Sequence, residues 1–477
     1  MDSSGVVIPA DAKGRRSSTR VGRQVVAAAL AAVDPVGSAA VLRETDWRSG
    51  YAPHMRRLVE AGLGSAGDAL AIADTGITAL REELRFATPV GEAPLDEAFS
   101  QPVISPLHTR TVQGAAAPLE ELSLPYAGKR LTGQKLLDRL DAWEQAGILE
   151  PSAAQAVREV AAHPEWLALR GHRVIVLGAS AEMGPLRALL SWGAEVVAVE
   201  LPRPELWQRL EKLARGSAGV LHLPEQPDGP GADLLHDLPA VAAWLGELDG
   251  PLVLGNYVYA DGATNLRLSV ATDLLATQLT GARDDVALAY LATPTDVFAV
   301  PHEVVSASAE AYERRSLRGL RPLLKGISGG RLLKRNYRPE EDPGLADAMI
   351  LQQGPNYILA KRLQRWRAAI AHRDGVEVSL RVAPPTKTRS VTRNRALAAA
   401  YAGGHHFGIE VFDPATSNTL MAAILVHDLC APATAGERSP WEREAGKAVH
   451  GGLWRGAYDP RSALGLALVL GWGAARG

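Results

Sequence analysis

The sequence predicts an α/β protein: a doubly wound parallel sheet with a mostly helical N-terminal domain. Three observations predict it. The runs "HRVIVL", "AEVVAV", "PLVLGN", "DVALAYLA" and "VEVSLRVA" are short, apolar and separated by helix-length segments. Continuous apolar strands alternating with helices indicate a parallel sheet buried on both faces. Ahead of them, "QVVAAALAAV", "HMRRLVEAGL" and "GQKLLDRLDAWEQAGI" repeat Ala and Leu at three- and four-residue spacing, the period of a helix. Finally, "RVIVLGASAEMGPLRALLSWGAEVVAVEL" reads strand, glycine-rich turn, helix, strand.

These patterns divide the 477 residues. Residues 1–24, rich in Gly, Ser and Arg, are expected to form a disordered, solvated tail. Residues 25–165 form the helical domain, interrupted over 85–126 by an extended linker with six prolines. Residues 166–477 form the sheet domain. The basic stretch Arg314–Arg338 falls within an insertion over about 293–345, read as a lid. Its charge faces either solvent or an anionic substrate such as an acyl carrier.

Composition excludes several classes. A net charge of −2 gives no electrostatic case for nucleic acid. The single cysteine, Cys430, excludes an internal disulfide and a multi-cysteine metal site, and fits a cytoplasmic protein. A bilayer span needs roughly 18–20 apolar residues. The longest run, Leu464 to Trp472, is about half that and is expected to be buried.

The glycine turn carries the first candidate site. Gly178 ends the first apolar strand and Gly184 lies six residues on, with Ser180 and Met183 between them. A dinucleotide pyrophosphate needs close backbone approach, and the following helix N-terminus offers N–H donors and a positive dipole end. Glu200 closes the next strand, 22 residues after Gly178, where a carboxylate accepts hydrogen bonds from a ribose diol. That favours NAD over NADP, while Arg203 nearby could hold a 2′-phosphate. The unit reads as Rossmann-type.

Tyr357 and Lys361 stand four apart in the helical segment "GPNYILAKRLQRWRAAIA", which places them on one face. A neighbouring ammonium is expected to lower the phenol pKa, so that Tyr357 exchanges a proton with a carbonyl or alcohol oxygen while Lys361 also binds a ribose.

Over about residues 170–430 the chain resembles the short-chain dehydrogenase/reductase family. Gly178 and Gly184 match the outer glycines of its turn, with Glu182 at the middle one. Tyr357 and Lys361 match its active pair. Pro384 matches its proline, Pro385 replaces the next glycine, and Thr386 or Thr388 stands for the threonine that touches the nicotinamide. Asn256 matches its asparagine-containing turn. The family's serine is expected from Thr293 or Thr295, although Thr293 lies 64 residues before Tyr357, with Ser328 as the alternative. The resemblance implies NAD(P)-dependent oxidoreduction of a carbonyl or alcohol. It implies a small-molecule or acyl-carrier-type substrate, and leaves a homo-oligomer open.

Other features read as structural. His405 and His406 are adjacent, point apart and suggest a loop rather than a metal site. His108 and Arg110 sit in the linker. Trp192, Trp207 and Trp366 fall at helical spacing and are expected in the core. Two rival functions remain: a Rossmann-like methyltransferase using S-adenosylmethionine, and a non-catalytic nucleotide-binding scaffold.

Overall fold

A computed structural model describes residues 5–88, 91–100, 103, 105–314, 326, 328–432 and 438–473. Its centre is an eight-stranded sheet: β1 (His108–Gln113), β2 (Arg173–Leu177), β3 (Glu195–Val199), β4 (Val220–Gln226), β5 (Gly229–Pro230), β6 (Leu252–Asn256), β7 (Val286–Ala292) and β8 (Val378–Val382). Six strands are parallel, in the order β4–β3–β2–β6–β7–β8. Counted from the first parallel strand this is 3-2-1-4-5-6, the order of dinucleotide-binding folds. β1 and β5 pair antiparallel with β4.

Successive residues of each strand face opposite sides, as a pleat requires. Ile175, Leu177, Val197 and Leu254 join one apolar core, while Val174, Val176, Val196 and Val253 join another. Helices cover both faces, so the strands are apolar throughout. The sequence expectation of a doubly wound α/β sheet is met.

The first of these cores also contains Val25, Leu30, Trp47, Met55, Ile77 and Leu80 from the N-terminal helices. Helices Ser18–Leu30, Trp47–Ala61 and Ala66–Glu83 therefore pack directly onto one of the sheet's own helices, Pro355–Arg373. The leading residues differ from the solvated tail expected of them. Gly5–Val7 is a buried strand paired with Arg85–Ala87, and Val6 N–H donates to Leu235 O at 3.1 Å. The apolar Val6, Val7 and Ile8 are buried at 0–3% exposure, which drives the segment inward despite its polar neighbours. The proline-bearing stretch 85–126 likewise contains β1, which extends the central sheet.

The insertion is closed at its base. Val297–Val300 pairs antiparallel with Gly344–Asp347, Val297 lying opposite Asp347. Residues 315–325 and 327, about half of the basic stretch read as a lid, lie outside the described residues. The Leu464–Trp472 run is part of helix Pro460–Gly471, but Val469, Leu470 and Trp472 are exposed rather than buried. No helix among the described residues is long and apolar enough to cross a membrane.

Candidate active site

A cleft of about 1260 Å³ opens across the carboxyl ends of β2, β3, β6, β7 and β8. It spans the point where strand order reverses between β2 and β6, which is where this topology leaves a crevice. Its walls include Gly178, Ser180, Met183, Glu200, Asn256, Thr293, Tyr357, Lys361, Pro384 and Thr386.

Gly178 adopts φ +76, a left-handed conformation that disfavours a side chain. A Cβ there would also stand 3.1 Å from Val258 Cα. The glycine thus serves the packing of the turn against the segment after β6. The helix behind the turn is short, Leu186–Ser191, and starts after Gly184 rather than at it. Ala181 N–H donates to Gly178 O at 2.9 Å and Gly184 N–H to Ala181 O at 3.0 Å. Among the described residues, the N–H groups of Glu182 and Met183 have no hydrogen-bond partner.

Glu200 is buried and ties this turn to β3. One carboxylate oxygen accepts from Ser180 N–H at 2.8 Å, the other from its own neighbour Leu201 N–H at 3.0 Å. Each oxygen keeps a second lone pair. Glu182 turns towards the segment after β8, where it accepts from Arg389 N–H at 2.8 Å and lies 3.6 Å from the Arg389 guanidinium.

The Tyr357 helix, Pro355–Arg373, begins at Gly354 and buries Ile358, Leu359 and Leu363 against the sheet. Thr293 follows β7 directly. The insertion ribbon returns the chain to the starting end of the helix, so the 64-residue gap is bridged and Thr293 and Tyr357 line the same cleft. Thr293 Oγ1 also lies 2.8 Å from Thr295 Oγ1. Lys361 Nζ donates to Leu291 O and to Gln364 Oε1, both at 3.1 Å. Burial pushes its pKa down to about 8.

The lowered tyrosine pKa expected from Lys361 is corrected here. Burial pushes the Tyr357 phenol up, the Thr293 hydroxyl opposes the rise, and the Asp296 carboxylate adds to it. The ammonium is engaged with Leu291 and Gln364, so desolvation of the phenolate dominates.

Other expected residues have internal partners. Asn256 is buried, donating from Nδ2 to Thr272 Oγ1 at 2.7 Å and accepting from Val258 N–H at 3.3 Å. Thr386 Oγ1 donates to Pro384 O at 2.9 Å and lies 2.6 Å from Ser417 Oγ. Thr388 lines the cleft and hydrogen-bonds Ser390. Ser328 is not in the cleft wall and accepts from Leu332 N–H, so the alternative to Thr293 fails on placement. Arg110 pairs with Glu211 and Glu225 on the sheet edge, also away from the cleft. His405 Nδ1 contacts Ala402 O at 2.8 Å. Trp192, Trp207 and Trp366 are core residues, as expected.

The cleft also holds residues that sequence reasoning missed. Tyr259, half exposed, stands edge-on to Tyr357, ring centroids 6.2 Å apart, and its hydroxyl donates to Asp261 Oδ1 at 3.1 Å. Tyr401, partly buried, also lines the wall. Ser18 and Arg48 come from the N-terminal helices, and Asn356 Nδ2 donates to Ser18 Oγ at 3.1 Å. Tyr259, three residues beyond Asn256, had a readable signal. Ser18 and Arg48, more than 300 residues before Tyr357, had none.

No family model and no curated protein matches the chain. Solved structures match over about half of it. A short-chain dehydrogenase/reductase from Serratia marcescens is 13% identical, with 54% of this chain and 91% of that one covered and a TM-score of 0.32. A thiolation-reductase di-domain from an archaeal non-ribosomal peptide synthetase is 12% identical, covers 54% and 52%, and has a TM-score of 0.29. Vestitone reductase from alfalfa is 14% identical, covers 51% and 69%, and has a TM-score of 0.28. These values carry no functional argument; the chain's own geometry has to.

Proposed function

We propose that this protein is an NAD(P)-dependent oxidoreductase of the short-chain dehydrogenase/reductase type, interconverting a carbonyl and an alcohol. One observation carries the reading: Tyr357, Lys361 and Thr293 line the same crevice as the Gly178 turn, although the insertion separates them in sequence. The residues fit a nicotinamide dinucleotide. Glu182 and Met183 have N–H groups to offer phosphate oxygens. Glu200 has a free lone pair on each oxygen for a ribose diol, which favours NAD.

A nicotinamide held there would supply or accept the hydride. Thr293 and Tyr357 hold the substrate oxygen from two hydroxyls. Because burial raises its pKa, Tyr357 is a phenol near neutral pH, ready to donate its proton as a carbonyl is reduced. Solvent then returns a proton to the phenolate. Lys361 uses two N–H donors on Leu291 and Gln364, leaving a third for a ribose hydroxyl.

Replacing Tyr357 with Phe tests the role. NADH binding, followed by thermal stabilisation, is expected to persist, while carbonyl turnover falls on the order of a hundredfold or more. Turnover within a few-fold of the parent would refute it. Titrating S-adenosylmethionine in parallel separates the methyltransferase alternative, since only a true ligand stabilises the fold.

A further inference from the structure

The charges lining this cleft do not cancel. Its acids all have partners. Glu182 is held by Arg389, Glu200 by the Ser180 and Leu201 N–H groups, Asp233 by Leu235 N–H at 2.8 Å, and Asp261 by the Tyr259 hydroxyl at 3.1 Å. Arg48, Arg203 and Arg393 also line it, and none has an ionic partner among the described residues. Arg203 stands three residues after Glu200, at the glycine-turn end.

Arg48 and Arg393 reach the cleft wall from elements linked to the tyrosine helix or its surroundings. Arg48 precedes Tyr51 by one helical turn, and the Tyr51 hydroxyl donates to Leu351 O at 3.3 Å, just before the Tyr357 helix. Arg393 ends the short helix Arg389–Arg393, and Asn394 then caps the helix that carries Tyr401. Tyr401 lies close enough for its phenol to be influenced by Tyr357. Segments 345 residues apart thus each give the cleft wall an arginine with no ionic partner among the described residues.

We propose that the substrate carries an anionic group, a carboxylate or phosphate, gripped by Arg48 and Arg393 while its carbonyl faces Tyr357. This rests on the oxidoreductase reading above. A planar guanidinium matches either anion with two parallel hydrogen bonds, and two of them fix orientation as well as affinity. The lining acids, each already engaged, would not compete for those donors.

The test uses the full chain with NADH and a matched pair: 4-carboxybenzaldehyde and its methyl ester. The parent is expected to prefer the acid in kcat/KM by at least tenfold. The double variant Arg48→Ala/Arg393→Ala should lose that preference, with NADH affinity within twofold of the parent. Three results overturn the proposal: no preference in the parent, a preference that survives in the double variant, or NADH affinity that falls tenfold. The last would assign the arginines to cofactor phosphate. If neither aldehyde oxidises NADH, the redox reading fails on its own. The anion site is then judged by thermal stabilisation with 4-carboxybenzaldehyde, which should exceed that of the ester in the parent and match it in the double variant. Equal stabilisation in the parent overturns the site.

Discussion

Replacing Asp296 with Asn would remove the charge at the centre of a buried network that joins the Thr293 loop to the Tyr357 helix. The Asp296 side chain is fully buried, and its two oxygens lie 2.8 Å from Arg362 and Arg365, each 4% exposed. Arg365 has further partners, Glu444 and the Val297 carbonyl at 2.8 Å, and its guanidinium lies 4.2 Å from the Phe298 ring centre. Arg362 has no second carboxylate, and its Nε is buried without a partner. The cost therefore falls on Arg362, left charged in an apolar setting. Breaking a buried pair in this way costs about 3–5 kcal/mol, a large share of the roughly 5–15 kcal/mol that holds a typical fold. Urea unfolding at pH 7, followed by tryptophan fluorescence, measures it. The companion Asp296→Asn/Arg362→Met removes both charges and should recover most of the loss. A single variant within about 1 kcal/mol of the parent, or a double variant worse than the single, would refute the reasoning.

Three other outcomes follow from the cleft. Lys361 has a folded pKa of about 8, against 10.5 for an ordinary lysine. The unfolded chain then binds the extra proton between those values, so this group's contribution to stability grows as pH rises from 8 to 10.5. Lys361→Met should accordingly gain stability over the parent at pH 7 and lose that advantage by pH 10.5. A pH-independent difference in urea midpoints would contradict it. Gly178→Ala forces a side chain into φ +76 against the Val258 backbone and should cost about 1–2 kcal/mol or more. A variant as stable as the parent in the same urea assay would show that the turn tolerates a Cβ. Glu200→Gln should weaken NAD binding more than NADP binding, read by thermal shift with each cofactor, and equal losses would remove Glu200 from the ribose site.

The central sheet was legible because β2, β3, β6 and β7 are buried on both faces, which leaves an unbroken apolar run in each. The glycine turn and the Tyr357–Lys361 pair were legible because each is a local spacing on one element. Long-range pairings were not. Nothing near Val297 says that it will lie opposite Asp347, yet that ribbon is what brings Thr293 to Tyr357. Nothing in the short apolar run of residues 5–8 says that Leu235 will accept a hydrogen bond from Val6. The Tyr357 pKa went the wrong way for a different reason: helical spacing gives neighbours, while desolvation depends on everything packed around them.

The shared core of the N-terminal helices and the sheet bears on how the chain is made. A ribosome delivers the N-terminal residues first, at about 5–20 residues per second. The partners of Val6 come much later: its N–H waits for Leu235 and its carbonyl for Arg267. The helices carrying Val25, Met55 and Leu80 likewise emerge before the Pro355–Arg373 helix they pack against. These helices can pack on one another early, but the faces that meet Pro355–Arg373 stay uncovered until that helix is made. This segment should therefore depend on chaperone capture during translation more heavily than the sheet domain.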